Sequence, residues 1–349
     1  MNTPALRIGA FGTGNLGDDL MLQSILLREP ASRVVAYGPP RLREPVQFIS
    51  YNRFMDSPET FFPGCSAVRF GGGSLFWSEE NLIAMLVIAQ RAKLAGLRVS
   101  LNKVGLQGFE RNERYSRLLL SIVDEVTVRE SHSEAVARYL GRNDVVRERD
   151  YAFDLFPEEP VPANTKNDIP VVGVNFSDIR LSSSNPDDAG FKNHIAGIFS
   201  EIARRFEGAL RFTYIPFCNH QSYEPENDMR AADVLWNDSK GKISYVEDVV
   251  TTDDLVDRVR GVDALLGFRF HMFVLGFALG KPVVPFVESH NRLGKYGAIA
   301  RDHNCEPILY TGASQGFIVS QVEARLTRLF GAKTPGDSTL PGNREIASA

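Results

Sequence analysis

The feature that most constrains this chain is a strand running into a glycine turn and then a helix, written first near the N-terminus and repeated through both halves. Residues 6–11 form a short apolar run that ends in Gly-Thr-Gly-Asn-Leu-Gly-Asp-Asp (12–19), after which Leu20, Met21, Leu22, Ile25 and Leu26 recur at helical spacing. The syntax returns as a strand over 34–37, then as a strand over 67–70 followed by Gly71-Gly72-Gly73-Ser74 and an amphipathic stretch over 81–94. A strand over 99–104 follows. Residues 122–128 then lead through Arg129-Glu130-Ser131 into a helix over 133–140 that Gly141 stops. Strands that alternate with helices predict a mostly parallel sheet covered on both faces.

Residues 156–170 are rich in proline and polar side chains and have no periodicity, which predicts a linker. Beyond it the pattern restarts, with strands over 170–176, 211–216, 263–268 and 282–287 and helices over 195–206 and 272–279. The expected fold class is α/β, with two Rossmann-like doubly wound domains over 1–160 and 168–330 and a mobile tail over 331–349. Ligands of such sheets bind outside the carboxyl ends of the strands, so the cleft between the domains is where a site is expected.

A chain of 349 residues is long enough for two cores, and 43% hydrophobic with 23% charged residues is an ordinary globular balance. The net charge of −4 supplies no global field for nucleic acid, so any phosphate must be held locally. Cys65, Cys218 and Cys305 are far apart and form no CxxC, and no clustered His and Asp spacing argues for a metal. The N-terminus reads as a first strand rather than a leader, and the longest apolar run, 82–89, is far short of the roughly 20 residues a spanning helix needs. These features predict a soluble cytoplasmic protein.

Six segments carry candidate chemistry. Gly12, Gly14 and Gly17 satisfy GxGxxG, which suits either an anion at a helix N-terminus or a tight turn with Asp18 or Asp19 as cap. The paired aspartates would repel a pyrophosphate, and Asp18 is better suited to a hydroxyl. Gly71-Gly72-Gly73-Ser74 lets backbone pass close to a ligand or to another strand. Arg129, at a strand end, can grip a carboxylate or phosphate by two points, or pair at the surface with Glu130 or Glu134. In Gly267-Phe268-Arg269-Phe270-His271, a strand delivers a cation and an imidazole to a helix start, an anion pocket unless His271 is a core residue. Lys295 or Arg292, in the polar loop after the next strand, would complete that pocket, and His220 and Asp228 would face an acceptor.

Taken in order, Gly14-Asn15-Leu16-Gly17-Asp18, Gly71-Gly72-Gly73-Ser74, Val128-Arg129-Glu130-Ser131-His132-Ser133, Ile215-Pro216-Phe217, Asp263 and Arg269-Phe270-His271 resemble the polysaccharide pyruvyl transferases. The resemblance implies a GT-B-like arrangement with the acceptor on the N-terminal domain and the donor on the C-terminal one. It implies transfer of pyruvate from phosphoenolpyruvate to a sugar as a cyclic ketal, with release of phosphate and no cofactor. The family's arginine, histidine and lysine fall on Arg129, His271 and Lys295. The lysine loop is longer here. Where members carry Gly-x-Gly-x-Gly-Pro, this chain has Gly105-Leu106-Gln107-Gly108-Phe109, and the acidic segment after Ile215-Pro216-Phe217 is altered.

Such a donor needs at least two cations, for which Arg129, Arg269, Lys295 and Arg292 are the candidates, together with a general acid and a base. His271, biased towards imidazolium by the donor's charge, is the expected acid and Asp18 the expected base. Asn15, Gly17, Gly72, Gly73, Ser74 and His220 are expected around the substrates. The partners implied are phosphoenolpyruvate and a saccharide, free or lipid-linked at the inner face of the cell membrane, with no nucleic acid. Two other readings fit the same cleft: a GT-B glycosyltransferase using a nucleotide sugar, and a non-catalytic member of a polysaccharide assembly complex.

Overall fold

Strands that are apolar at consecutive positions belong in sheets buried on both faces. In the computed structural model they pair into two such sheets. The structure describes residues 3–73, 75–76, 78–156, 169–176, 188–220, 227–245, 249–288 and 292–331. The first sheet contains β1 (Ala5–Ile8), β2 (Arg33–Ala36), β3 (Phe48–Ser50), β4 (Ala67–Gly71), β5 (Arg98–Val104), β6 (Glu125–Val128) and β7 (Val146–Arg147). Their order is β3-β2-β1-β4-β5-β6-β7, and every pair is parallel.

The second sheet contains β8 (Val171–Asn175), β9 (Arg211–Tyr214), β10 (Ile243–Tyr245), β11 (Ala264–Gly267), β12 (Val283–Val287) and β13 (Ile308–Leu309). Their order, β10-β9-β8-β11-β12-β13, is again wholly parallel. The chain thus leaves β1 in one direction and returns to its other side at β4, and it repeats this at β8 and β11. These reversals are where a doubly wound sheet opens a crevice at its carboxyl edge. The turn 12–19 and the Gly71–Gly73 run flank the first reversal, and Asn175 and Arg269-Phe270-His271 flank the second.

Each sheet has its own core, one centred on residues such as Leu6, Val68 and Leu101 and the other on Val172, Phe199 and Phe286. A further cluster joins them. Leu16, Leu20, Ala152 and Phe153 pack with Phe217, Phe270, Met272 and Phe273 of the second half. Backbone bonds cross the same boundary: Leu16 N donates to Phe217 O at 2.9 Å, Asn219 N to Gly14 O at 2.9 Å, and Thr252 N to Arg41 O at 3.0 Å. On the far side, Asp302 accepts from Ser131 N at 2.9 Å, and the His303 ring lies between Phe153 and Phe277, with centroids 5.2 and 4.4 Å away.

Element boundaries differ from the sequence reading for identifiable reasons. The helix expected from 133 begins at Ser131, because the Glu130 carboxylate caps it by accepting from Ser133 N at 2.8 Å. The helix expected from 272 begins at Phe270, with Arg269 in extended conformation just before it. The strand expected through Phe11 stops at Ile8, and Gly12 (φ 69°) then takes a backbone conformation that side chains avoid. The expected linker falls largely within 157–168 and the expected tail within 332–349, and both stretches lie outside the described residues.

Candidate functional site

The turn after β1 is built by its polar residues. Asn15, rather than either aspartate, caps the helix Leu16–Arg28, accepting from Gly17 N at 3.1 Å. Asp19 is buried and accepts from Gly12 N at 2.8 Å and Arg41 N at 2.9 Å, so its carboxylate folds the turn, and burial pushes its pKa up to about 6. Asp18 faces the second domain, with Oδ1 3.8 Å from His271 Nε2.

The glycines of this turn admit protein. A Cβ on Gly17 would fall 2.1 Å from Cγ of His271, one on Gly14 2.7 Å from the Asn219 carbonyl, and one on Gly12 2.0 Å from the Gly38 carbonyl. The Gly71–Gly73 run behaves likewise. A Cβ on Gly72 would strike the Phe11 ring at 2.2 Å and one on Gly73 the Asp18 carboxylate at 2.7 Å. Ser74 lies outside the described residues. The spacing therefore permits close approach of β1, β4, Asp18 and His271.

Gly→Ala inside a helix ordinarily stabilises by about 1 kcal/mol, yet Gly17→Ala would drive a methyl into the base of the His271 side chain. Activity is expected to fall at least about tenfold with no gain in melting temperature, since overpacking costs about 1–3 kcal/mol. A more stable and fully active Gly17→Ala protein would mean that the contact with His271 does not matter.

His271 follows β11 on the helix Phe270–Ala278 and is buried, and its Nε2 has no hydrogen-bond partner. Its burial pushes the pKa down to about 3. Asp150 opposes this, and Arg129, Lys295 and Arg269 reinforce it. With no donor charge beside it the ring is held towards its neutral form, because desolvation outweighs the carboxylates near it.

Arg129 leaves the end of β6 with its side chain 1% exposed, so neither expected surface pair forms. Glu130 turns inward as the helix cap, and Glu134 pairs with Arg138 and Arg147. Arg129 Nη1 instead donates to Asp150 Oδ2 at 2.8 Å, and its guanidinium carbon lies 4.3 Å from the centre of the Phe270 ring. Lys295 opens the helix Lys295–Asp302 and places Nζ 5.7 Å from the same ring and 5.1 Å from that of Tyr296. Two cations from different domains thus share one aromatic ring beside His271.

Arg269 is tied elsewhere. Its Nε and Nη2 both donate to Asp228 Oδ1, at 3.0 and 2.6 Å. Asp228, expected to face an acceptor, is fully buried and also accepts from Phe217 N, Cys218 N and Asn175 Nδ2. It is the strut of the loop on which Gly14–Leu16 dock. His220, half-buried, lies on that loop, with its Cα 3.0 Å from where a Gly14 Cβ would stand. Arg292 is exposed and borders a hollow of about 520 Å³ with Arg301, Asn304, Cys305, Glu306, Pro307 and Leu309, none of which belongs to the His271 cluster. The structure thus brings together Gly17, Asp18, Arg129, Lys295 and His271. Sequence reasoning missed Asp150 and Phe270, although both lie just after strands at carboxyl edges.

Among the described residues no three His, Cys, Asp or Glu side chains are grouped to hold a metal, and no helix is long and apolar enough to cross a membrane. The sequence profile of the polysaccharide pyruvyl transferases matches residues 15–290. The chain belongs to that family. The matched span starts at the Asn15 cap and contains Arg129, Asp150, Asp228 and His271, whereas Lys295 lies beyond its end.

No curated protein matches the sequence. Solved structures do match it along most of its length. UDP-GlcNAc 2-epimerase from Neisseria meningitidis, bound to UDP-GlcNAc, is 11% identical with a TM-score of 0.55, covering 95% of this chain and 94% of its own. Anabaena Alr3699/HepE in complex with UDP-glucose is 11% identical with a TM-score of 0.58, covering 94% and 92%. UDP-GlcNAc 2-epimerase from Methanocaldococcus jannaschii, in complex with UDP-GlcNAc and UDP, is 13% identical with a TM-score of 0.57, covering 95% and 94%. These likenesses establish the fold: this pyruvyl transferase family member has two Rossmann-like domains in the GT-B arrangement.

Proposed function

We propose that the protein transfers pyruvate from phosphoenolpyruvate to two hydroxyls of a saccharide, forming a cyclic ketal and releasing phosphate. The observation that carries this reading is the buried His271, its Nε2 without a hydrogen bond, set between the Asp18 carboxylate and two cations at the facing carboxyl edges of both sheets. Family membership supports it. Phosphoenolpyruvate brings a carboxylate and a phosphate, and Arg129 and Lys295 are the cations of the cluster that answer them.

His271, charged once the donor's anions lie beside it, gives a proton to the methylene carbon, and one acceptor hydroxyl bonds to the neighbouring carbon. Asp18 takes the proton of that hydroxyl. The carbon–oxygen bond to phosphate then breaks, the second hydroxyl closes the ketal as its proton passes to the now neutral His271, and the proton held by Asp18 leaves with the phosphate. No cofactor is required. Arg129 and His271 are shielded from solvent here, so the donor enters as the two domains part and the closed site excludes water. The acceptor is a saccharide, free or lipid-linked, of a surface polysaccharide or its precursor.

The test combines phosphoenolpyruvate with a panel of saccharide acceptors, reading phosphate release and product mass. The expected product is heavier than its acceptor by the pyruvate ketal, with one phosphate released per transfer. Phosphoenolpyruvate is also expected to raise the melting temperature, since a ligand of the native state stabilises it. Stabilisation by UDP- or GDP-sugars alone, with no phosphate released from phosphoenolpyruvate, would replace this reading with glycosyl transfer.

A further inference from the structure

We propose that Asp150 is the positioning residue of this site: it clamps one prong of Arg129, so that the two-pronged edge of the guanidinium faces the donor's anionic group above Gly105. The inference rests on the phosphoenolpyruvate reading and adds a residue and a donor subsite to it.

Asp150 is fully buried. Its Oδ1 accepts from Ala152 N at 2.9 Å, capping the short 3₁₀ helix Tyr151–Leu155, and its Oδ2 accepts from Arg129 Nη1 at 2.8 Å. Both oxygens are thereby fixed. The 3₁₀ helix is itself anchored, because Phe153 stacks on His303 and Lys103 Nζ lies 2.9 Å from Asp154. The carboxylate holding Arg129 is thus part of a segment packed against both domains.

A buried ion pair is a poor way to gain stability, since desolvation of both groups offsets their attraction. This pair also leaves the arginine incompletely used. Nε has no hydrogen-bond partner, and Nη2 and Nε are the atoms nearest the missing side chain of Gly105, 3.4 and 3.6 Å from where its Cβ would stand. One guanidinium face is covered by Phe270 and one prong is taken by Asp150. The Nε–Nη2 edge is the geometry that binds a carboxylate or phosphate by two points, and Gly105 leaves the room beside it.

Asp150 also bears on the proton of His271. The charged groups around that ring are Asp18 from the helix Leu16–Arg28, Arg129 after β6, Asp150 after β7, and Arg269 and Lys295 from the second domain. Asp150 is the largest influence favouring the charged ring, and three cations oppose it. Removing its charge therefore lowers the pH at which His271 gives up its proton.

The test uses the full chain with three variants, measuring kcat and KM for phosphoenolpyruvate across pH. Asp150→Asn keeps the side chain's size and an oxygen for Ala152 N but loses the charge. It is expected to raise the donor KM about tenfold or more and to move the alkaline limb of kcat to lower pH by about one unit, and Asp150→Glu is expected to recover part of both. Gly105→Ala leaves the Arg129–Asp150 pair in place and meets only ordinary contacts, so it folds, and it is expected to raise the donor KM at least tenfold by filling the space beside Nε and Nη2. A purely structural Asp150 would lower the melting temperature while leaving the KM and pH limb of the folded fraction unchanged, which overturns the proposal. Should Asp150→Asn fail to fold, an unchanged donor KM in Gly105→Ala overturns it equally. Normal turnover by the wild type with unaltered variants defeats this inference alone, whereas a wild type that does not consume phosphoenolpyruvate defeats the functional reading as well.

Discussion

His271→Ala is expected to lower turnover by about 100- to 10,000-fold, the usual worth of a positioned proton donor, while the protein stays folded. The ring is buried and its Nε2 makes no hydrogen bond, so the substitution removes packing but breaks no polar link on that side. His271→Gln keeps polarity and much of the volume and is expected to be comparably inactive with a smaller effect on melting. Donor affinity is expected to change less than kcat, because in the proposed reaction the anions fall to Arg129 and Lys295. A core role would reverse this pattern: both variants would melt earlier and their folded fraction would keep its turnover. Near-normal activity in a stably folded His271→Ala protein removes the residue from the mechanism.

The same histidine gives stability a signed pH dependence. Its pKa is near 6.5 when unfolded and about 3 in the donor-free native state, so between those values the unfolded chain binds the extra proton. Its contribution is therefore fully present above pH 6.5 and is lost as pH falls towards 3, and His271→Gln is expected to show a shallower acid loss in denaturant titrations. Asp19 works in the opposite sense, because its pKa is raised from 3.8 to about 6 and its burial favours the folded state as pH falls through that window.

The largest loss of stability is expected from Asp228→Ala. This fully buried carboxylate accepts from Arg269 Nε and Nη2, from Phe217 N and Cys218 N, and from Asn175 Nδ2. Truncation leaves a nearly buried guanidinium, 11% exposed, without this carboxylate and leaves two backbone N–H groups without their acceptor. Breaking one side of such a pair costs about 3–5 kcal/mol. At about 2–4 °C per kcal/mol for a domain of this size, melting of the second domain is expected to fall by about 6–20 °C. Because the Phe217–Asn219 loop carries the backbone bonds to Gly14 and Leu16, activity is expected to fall as well. Asp228→Asn, which keeps one acceptor oxygen, is expected to lose less. A melting temperature within a degree of wild type for Asp228→Ala would show that the loop holds itself.

The alternation of apolar strands with glycine turns and amphipathic helices determined, without any coordinates, that this is a doubly wound α/β chain in two halves. It also placed Asp18, Arg129 and His271 at carboxyl strand ends, because local periodicity marks where each strand stops and the parallel-sheet rule says which end carries the site. Three-dimensional packing decided the rest. No local pattern tells that Gly17 is empty for the ring of His271, that Asp228 is spent on Arg269, or that Asp150 stands behind Arg129, since each pairing joins residues far apart in the chain. The protonation of His271 belongs to the same class. Arg269, two residues before His271, suggests only a field, whereas burial of the ring, a property of the docked domains alone, is what favours its neutral form.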